Sequence, residues 1–254
     1  MKKVYILTWC KNIAQLYGSL LVFDTIRVGF PTAEIVVIDN NSIPVAVNEI
    51  EKAAAKVKAQ FFKLEYEIQH HDHIRCILTP ENDESEIYIV DPDVIFWKNV
   101  ELFSTDKLLA GRLIPAFFDK YSNTLTKARV HTSFIYIPSV KLIREKISLI
   151  ETNHWGANLI RPIVLKINSE WLHWDTFGQL YECLQGDFEI FTDEMNDSFD
   201  HIYAGSHLDI LAKRHNLPMM HKVHNLAIND PAALKGIWRD QHQFFLTNET
   251  KDKT

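Results

Sequence analysis

The sequence predicts an α/β fold, with a Rossmann-type, mostly parallel sheet covered by helices on both faces. Three observations indicate this class. Apolar strand-like segments alternate with helix-like segments over the first hundred residues, these strand-like segments lack a polar face, and three of them end in polar clusters. Apolar strands are typical of parallel sheets that are buried on both sides, and the alternation of strand and helix builds such sheets.

The first elements follow this alternation closely. Residues 4–9 form a short apolar run that predicts a buried strand, and the apolar residues between 13 and 28 recur at helical spacing. Gly29 and Pro31 end that helix. Residues 34–39 predict a second strand, which is closed by the turn formers Asn40, Asn41 and Ser42.

The pattern continues with a second helix over residues 44–58, where Pro44 suits the first turn. A third strand is predicted over residues 61–64 and a third helix over residues 68–78. Residues 87–90 predict a fourth strand, which ends abruptly at Asp91, Pro92 and Asp93. Since ligands of parallel sheets bind at the carboxyl ends of strands, we expect the polar strand ends to share one rim.

The second half of the chain has a different pattern. Residues 108–118 and 131–137 predict strands that are antiparallel and form a smaller sheet set against the first. A helix is predicted over residues 175–184, with Asp175 as its N-cap. A terminal helix is predicted over residues 231–245.

Composition and charge narrow the function classes. The 254 residues are 46% hydrophobic and 24% charged, which excludes disordered and collagen-like chains. The formal net charge of −6 predicts no nucleic-acid partner, because it repels polyphosphate. The longest apolar runs fall short of the ~20 residues of a membrane helix, so no integral membrane segment is expected. The scattered Cys10, Cys76 and Cys183 are expected to be buried free thiols, which favours a cytoplasmic location.

The segment Asp91-Pro92-Asp93 is the strongest functional motif. Residues i and i+2 of an extended segment face the same side, so the two carboxylates would repel each other. A divalent cation such as Mn²⁺ or Mg²⁺ removes this repulsion and keeps coordination positions open for phosphate oxygens. The alternative is a turn in which Asp91 caps and Pro92 bends the chain.

Together with the preceding strands, this motif resembles the nucleotide-sugar-dependent glycosyltransferases of the GT-A fold, which carry an Asp-X-Asp motif. The matching segments are residues 4–9, 35–42 and 88–93. The resemblance covers residues 4–97 and extends more loosely to about residue 207. It implies a GT-A-like sheet with a smaller antiparallel sheet on the acceptor side. We expect one domain of residues 1–254, with a nucleotide-binding half (1–100), an acceptor-binding half (101–246) and a flexible tail (247–254).

The resemblance also implies roles for individual residues of the first half. Thr8 and Trp9 would line the nucleotide pocket, and Asp39 would contact the base or the ribose. Asp91 would bind the ribose or the metal, and Asp93 would bind the metal directly. The alternatives are that Trp9 is a core aromatic residue and that Asp39 only starts the turn before Asn40.

Further roles fall on the second half of the chain and on one helix. The resemblance implies a late histidine metal ligand, for which His201 is the first candidate and His207 the second. It also implies that Thr132 and Ser133 bond hydroxyls of the donor sugar, and that Asp175 is a general base for the acceptor. From its place on the helix predicted over residues 68–78, Arg75 could contact phosphate. The alternatives are that His201 is a hydrogen-bonded loop histidine, that Thr132 and Ser133 belong to an ordinary alternating strand, and that Asp175 is a plain helix cap.

The resulting hypothesis is an enzyme that uses Mn²⁺ or Mg²⁺ to move a sugar from a nucleoside diphosphate to a hydroxyl. Its partners would be a nucleoside-diphosphate sugar donor and a glycan, lipid-linked or other hydroxyl acceptor. A nucleotidyltransferase and a non-catalytic sugar or nucleotide binder are the alternatives. The chain contains no GxGxxG, P-loop, HExxH or GxSxG pattern. The donor sugar, the nucleobase, the acceptor, the stereochemical outcome and the oligomeric state stay open.

Overall fold

The computed structural model of the chain describes residues 1–119, 123–153, 158–184, 186–202, 226 and 229–235. Within these ranges, the strands are β1 (Lys2–Thr8), β2 (Glu34–Asp39), β3 (Gln60–Lys63), β4 (Glu86–Val90), β5 (Val94–Phe96), β6 (Leu109–Ile114), β7 (Phe117–Asp119), β8 (Thr124–Thr126), β9 (Arg129–Ile137), β10 (Ile163–Ile167), β11 (Glu170–Trp174), β12 (Phe188–Ile190) and β13 (Phe199–His201). The helices in the same ranges are α1 (Ile13–Gly29), α2 (Pro44–Lys56), α3 (His70–Ile77), α4 (Val140–Asn153), α5 (Gly178–Cys183) and α6 (Asp193–Asn196).

Seven of the described strands form a central, mostly parallel sheet in the order β12-β6-β9-β4-β1-β2-β3. β9 is the exception, since it runs antiparallel to both β4 and β6. A smaller sheet has the order β10-β11-β8-β7, in which the outer pairs are antiparallel and β11 is parallel to β8. β5 and β13 pair by themselves. The α/β class, the central sheet and a smaller, mainly antiparallel sheet are therefore confirmed.

The strands of the smaller sheet differ from those that the sequence pattern predicts. β9 lies inside the central sheet rather than in a second one, because Ile87 and Ile89 of β4 pair with Ile137 and Ile135 of β9. The strand predicted over residues 108–118 divides into β6 and β7, which belong to different sheets.

Two further expectations are corrected by the structure. Asp175 does not cap the following helix: α5 begins at Gly178, and the N-cap position is held by Phe177, whose φ is 66°. Of the three free cysteines only Cys10 is buried, whereas Cys76 and Cys183 are exposed. The side chain of Cys76 is exposed because His73, Ile74 and Ile77 form the buried side of α3.

The chain forms two compact units that are interleaved in sequence. Unit 1 comprises Met1–Tyr5, Glu67–Val90 and Phe103–Thr192, and unit 2 comprises Ile6–Tyr66, Asp91–Leu102 and Asp193–Thr254. The single domain with halves at residues 1–100 and 101–246 stays a prediction.

Unit 1 packs around aromatic side chains of β4 and β9. The rings of Tyr88 and Tyr136 stack with their centroids 4.5 Å apart, and Phe103 meets Tyr136 edge-on at 5.5 Å. The Tyr136 hydroxyl donates to Glu86 at 2.7 Å. Tyr88 and Tyr136 are both buried, and burying a ring of this size contributes about 1.5–3 kcal/mol.

Unit 2 packs α1 against β5. α1 starts at an N-cap residue, Asn12, whose side chain accepts a hydrogen bond from the Gln15 N–H at 2.9 Å. It ends at Gly29, where a Cβ atom would lie 2.6 Å from Cγ of Phe96. The absence of a side chain at Gly29 thus lets α1 approach β5 closely.

Some expectations fall on residues that the structure does not describe. His207, most of the helix predicted over residues 231–245 and the tail at 247–254 lie outside the described ranges. Among the described helices, none combines the length and the apolar character needed to cross a bilayer.

Candidate metal centre

The segment between β4 and β5 is a tight turn. The Val94 N–H donates to the Asp91 carbonyl at 3.3 Å, and Pro92, between the two acidic residues, fixes φ there. The Pro92 carbonyl accepts a hydrogen bond of 3.0 Å from the Val22 N–H of α1. The turn that carries both carboxylates is therefore attached to a helix of the same unit.

β13 brings His201 to this turn from more than a hundred residues further along the chain. It pairs antiparallel with β5, so that His201 lies opposite Val94, the residue after Asp93. The Ile202 N–H donates to the Asp93 carbonyl at 3.0 Å. His201 Nε2 consequently lies 3.2 Å from Asp93 Oδ1, with both side chains less than a tenth exposed.

Asp91, Asp93 and His201 form one cluster within unit 2. A ligand atom from each residue lies within 4.8 Å of a ligand atom from the other two, and only Asp91 is partly exposed. The three residues that the sequence analysis proposed as metal ligands are thus brought together by the fold.

The cluster fits a divalent cation on two grounds. Its donors are carboxylate oxygens, which suit Mg²⁺ and Mn²⁺, and an imidazole nitrogen, which suits Mn²⁺ better than Mg²⁺. A buried carboxylate next to a second one is costly unless positive charge is close by, and a bound cation supplies that charge more fully than one histidine.

A residue that sequence analysis did not single out fixes β13 against β5. Asp200 is 1% exposed, and its Oδ2 accepts a hydrogen bond of 2.5 Å from Nε1 of Trp97, just after β5. The N–H groups of Trp97 and Lys98 both donate to the Ser198 carbonyl. The sequence signal for this contact is the acidic residue directly before His201. Its partner, Trp97, lies 103 positions earlier in the chain, so no local pattern links the two.

Thr8 and Asp39 also lie together in unit 2, at the ends of β1 and β2. Thr8 Oγ1 donates to Asp39 Oδ2 at 3.1 Å, the Ser42 N–H donates to Oδ1 at 2.9 Å, and neither Thr8 nor Asp39 is exposed. Asn41 has a φ of 58°, which completes the turn. These contacts are those of the turn-forming alternative for Asp39, and its contact with a nucleotide stays a prediction.

Trp9 follows Thr8 and is only half-buried, so it is not a fully enclosed core residue. The ammonium group of Lys11 lies 5.6 Å from the centroid of its ring. An indole with a cation over it presents a partly exposed flat surface, which is the property that stacking on a base requires.

Arg75 and Asp175, two of the predicted site residues in unit 1, are engaged by partners of opposite charge. Arg75 binds the Glu151 carboxylate through two nitrogens, at 2.9 and 3.2 Å. Asp175 Oδ2 lies 3.0 Å from Arg129, and its Oδ1 accepts from the Thr176 N–H at 2.8 Å. Their roles toward phosphate and acceptor stay predictions.

Thr132 and Ser133 are consecutive residues of β9 and therefore face opposite sides of the sheet. Ser133 is 1% exposed, and its N–H donates to His131 Nδ1 at 3.2 Å, while Thr132 is half-buried. Of the two, Thr132 is the more accessible to a ligand. A contact of either hydroxyl with a donor sugar stays a prediction.

No family model and no curated protein matches this chain. Among solved structures it is similar to the glycosyltransferase GlyE of Streptococcus pneumoniae TIGR4, with 11% identity, 87% of this chain and 50% of that chain covered, and a TM-score of 0.45. For the galactosyltransferase LgtC, solved with donor and acceptor sugar analogues, the identity is 13%, the coverage 89% and 83%, and the TM-score 0.42.

A third similarity is to residues 1–349 of TarS from S. aureus, with 13% identity, 89% of this chain and 69% of that chain covered, and a TM-score of 0.43. The chain spans about half the length of GlyE and 38% of the bifunctional glycosyltransferase WbbM. Similarity at this level assigns no activity.

Proposed function

We propose that this chain is a metal-dependent glycosyltransferase that moves a sugar from a nucleoside-diphosphate sugar to a hydroxyl acceptor. The observation that carries the proposal is the cluster of Asp91, Asp93 and His201, whose ligand atoms lie within 4.8 Å of one another. It stands at the motif on which the resemblance to GT-A glycosyltransferases depends.

Asp91, Asp93 and His201 would hold Mn²⁺ or Mg²⁺. A divalent cation there would neutralise the donor diphosphate and stabilise it as a leaving group. The protein residues supply the geometry: Asp93 is fixed by the backbone bond from Ile202, and His201 is fixed by the pairing of β13 with β5.

Trp9, Thr8 and Asp39 are our candidates for the nucleotide pocket. The half-buried indole of Trp9 offers a face for the base. The Asp39 carboxylate is already held by Thr8 and Ser42, so any contact with the ribose would use its remaining lone pairs. On unit 1, Thr132, Ser133 and Arg75 are the candidates for contacts with the sugar and the phosphates.

Asp175 is our candidate general base for a reaction with inversion. Arg129 and the Thr176 N–H hold its carboxylate in one orientation, which is the condition for accepting a proton from a positioned hydroxyl. For a reaction with retention, we propose no nucleophile. The acceptor class stays open among glycans, lipid-linked acceptors and other hydroxyl compounds, and the three free cysteines favour a cytoplasmic location.

The proposal is tested by incubating the purified chain with a panel of nucleoside-diphosphate sugars, with and without Mn²⁺. We expect release of nucleoside diphosphate that depends on Mn²⁺. Asp93→Asn should reduce it by at least a hundredfold, because the variant loses a charged ligand. Asp24→Asn, which changes an exposed carboxylate on α1, is the matched control and should leave turnover unchanged.

Product analysis separates the alternatives. Release of pyrophosphate instead of nucleoside diphosphate would indicate a nucleotidyltransferase. Binding of nucleotide that depends on metal, without turnover on a broad acceptor panel, would indicate a non-catalytic binder. Full activity of a folded Asp93→Asn variant would refute the metal assignment.

A further inference from the structure

Unit 1 contains a cavity of about 510 Å³ that none of the predicted roles uses. Six of the residues around it are Ala116, Lys127, Tyr181, Glu182, Phe188 and Ile190. Small-molecule sites in proteins commonly occupy about 300–1,000 Å³ and combine an apolar wall with a few fixed polar groups. This cavity has that size and both kinds of wall.

The apolar wall is aromatic. Tyr181 of α5 and Phe188 of β12 meet edge to face, with their centroids 5.2 Å apart and their planes at 89°. Ile190, two residues after Phe188 and therefore on the same side of β12, is 51% exposed and continues this wall. Such a surface suits the C–H face of a ring.

The polar wall is a fixed ion pair. Glu182 Oε1 lies 3.1 Å from Lys127 Nζ, and Glu182 Oε2 accepts a hydrogen bond of 2.8 Å from Trp174 Nε1. Lys127 Nζ also lies 5.6 Å from the centroid of the Trp174 ring. A carboxylate oxygen has more than one lone pair and an ammonium group has three N–H donors. The pair can therefore accept from one hydroxyl and donate to another.

The charges of this wall also select the ligand. Among the described residues around the cavity, Lys127 and Glu182 are the two that carry a charge, and their charges cancel. A phosphate or carboxylate would compete with Glu182 for the ammonium group, and a cation would compete with Lys127 for the carboxylate. A neutral ligand with hydroxyl groups avoids both costs.

The cavity is connected through the chain to the candidate base. Trp174, which orients Glu182, immediately precedes Asp175, and Ala128, which also lines the cavity, precedes Arg129, which contacts Asp175 at 3.0 Å. The same two chain segments thus hold the polar wall and the carboxylate proposed to accept the proton of the acceptor.

From this geometry we propose that the cavity binds a neutral saccharide ring, with the ring on Tyr181 and Phe188 and its hydroxyls on Lys127 and Glu182. That this saccharide is the hydroxyl acceptor rests on the proposed function. We expect binding to require neither metal nor donor, since the described residues that line the cavity belong to unit 1 and the candidate metal ligands to unit 2.

The experiment measures binding of neutral methyl glycosides, namely the gluco and galacto forms, and of lactose, without metal or donor. Saturation-transfer NMR and calorimetry are the readouts. We expect saturation of ring protons on one face of at least one glycoside, and we expect Tyr181→Ala to weaken its binding at least tenfold, or about 1.4 kcal/mol. Tyr181→Phe keeps the ring and should stay within about threefold of the wild-type chain.

A second variant, Ile190→Lys, tests the cavity in case Tyr181→Ala folds poorly. It places a charged side chain at the cavity from an exposed position, and we expect it to abolish binding. Leu149→Ala, at a 61% exposed position on α4, is the control and should bind like the wild-type chain. The proposal is overturned if no glycoside of the panel binds, if 1-hexanol binds there in their place, or if folded Tyr181→Ala and Ile190→Lys both bind normally.

Failure of the proposed function gives a different result. Asp93→Asn should keep glycoside binding and lose only the metal-dependent release of nucleoside diphosphate. A wild-type chain that binds glycosides but releases no nucleoside diphosphate would support the saccharide cavity and refute the transferase.

Discussion

Asp39 and Asp93 are two buried aspartates of unit 2 with different partners. Asp39 accepts hydrogen bonds from Thr8 and from the Ser42 N–H within a single turn. Asp93 instead faces His201 and a second carboxylate, Asp91. Hydrogen bonds satisfy the first aspartate locally, whereas a bound cation at the second would compensate both carboxylates at once.

Tyr136 provides a test of stability against pH. Burial raises the pKa of its hydroxyl, and the hydrogen bond to the Glu86 carboxylate raises that pKa further. Since an unfolded tyrosine has a pKa of about 10, this contribution to stability is complete below pH 10 and is lost as the pH rises through the folded-state pKa. Tyr136→Phe should remove this contribution. Above pH 10 the free energy of unfolding of the variant should therefore fall less steeply than that of the wild-type chain.

Urea unfolding between pH 7 and 11 measures this effect. At pH 7, Tyr136→Phe should cost about 1–3 kcal/mol, because the hydrogen bond is made to a charged group. Tyr66→Phe removes a tyrosine hydroxyl from a 70% exposed position and should keep the alkaline slope of the wild-type chain. An equal alkaline slope in wild type and Tyr136→Phe would contradict the assignment.

Asp91 and Asp93 could be proposed from the sequence itself, because a carboxylate pair after an apolar strand is a local pattern, whereas His201 could be proposed only through the resemblance to GT-A glycosyltransferases. The groups that hold the cluster could not. Trp97 and Asp200, which fix β13 against β5, are 103 positions apart. No spacing rule links such pairs, since their contact depends on which strands become neighbours.

At the level of elements, the β5–β13 pair holds two of the three proposed ligands in place, since His201 ends β13 and Asp93 directly precedes β5. Each strand has only three residues, so few backbone bonds fix their register, and a slip of one residue would turn His201 to the opposite face. The bond between Trp97 and Asp200 adds a side-chain constraint on that register.

Trp97→Phe tests this constraint. The variant keeps an aromatic ring but leaves the buried Asp200 carboxylate without the indole donor, which should cost about 1–3 kcal/mol. We also expect the affinity for Mn²⁺, measured by electron paramagnetic resonance on folded protein, to fall at least tenfold. Trp171→Phe, at an exposed position of β11, should change neither quantity. Lost stability with wild-type Mn²⁺ affinity would show that the bond does not position His201.

The contact between α1 and β5 gives a second test at this scale. Gly→Ala on a helix usually stabilises a protein by up to about 1 kcal/mol. At Gly29 the new Cβ would lie 2.6 Å from Phe96 Cγ, so we expect a loss of about 1–3 kcal/mol from overpacking. Chemical denaturation measures it, and the double variant Gly29→Ala, Phe96→Leu should recover part of the loss. Stabilisation by Gly29→Ala alone would contradict the packing.

Elements with strong local signals could be predicted, and short ones could not. β2 has the predicted bounds, Glu34–Asp39, because its apolar run is closed by turn formers. β5 and β13 are too short to show any periodicity. α4 was missed although its buried residues, Val140, Ile143 and Ile147, lie at helical spacing.

For the molecule as a whole, metal binding should raise the free energy of unfolding. A cation that binds only the folded state adds about 2.7 kcal/mol at a hundredfold excess over its Kd, which for a chain of this length corresponds to about 5–10 °C in Tm. Calorimetry with added Mn²⁺ should show this rise, and EDTA should reverse it. Asp93→Asn should melt at one temperature with and without Mn²⁺, and an equal rise in that variant would place the binding elsewhere.

The exposure of the cysteines has a practical consequence. Burial raises the pKa of the Cys10 thiol and shields this thiol from reagents. Cys76 and Cys183, which both belong to unit 1, are accessible. Burial and the neighbouring Glu182 raise the pKa of Cys183 as well, which slows alkylation there. A maleimide fluorophore should therefore attach to Cys76 before Cys183. In a Cys76→Ser variant the dye would go to Cys183, beside Glu182, where its emission would report whether a sugar has entered.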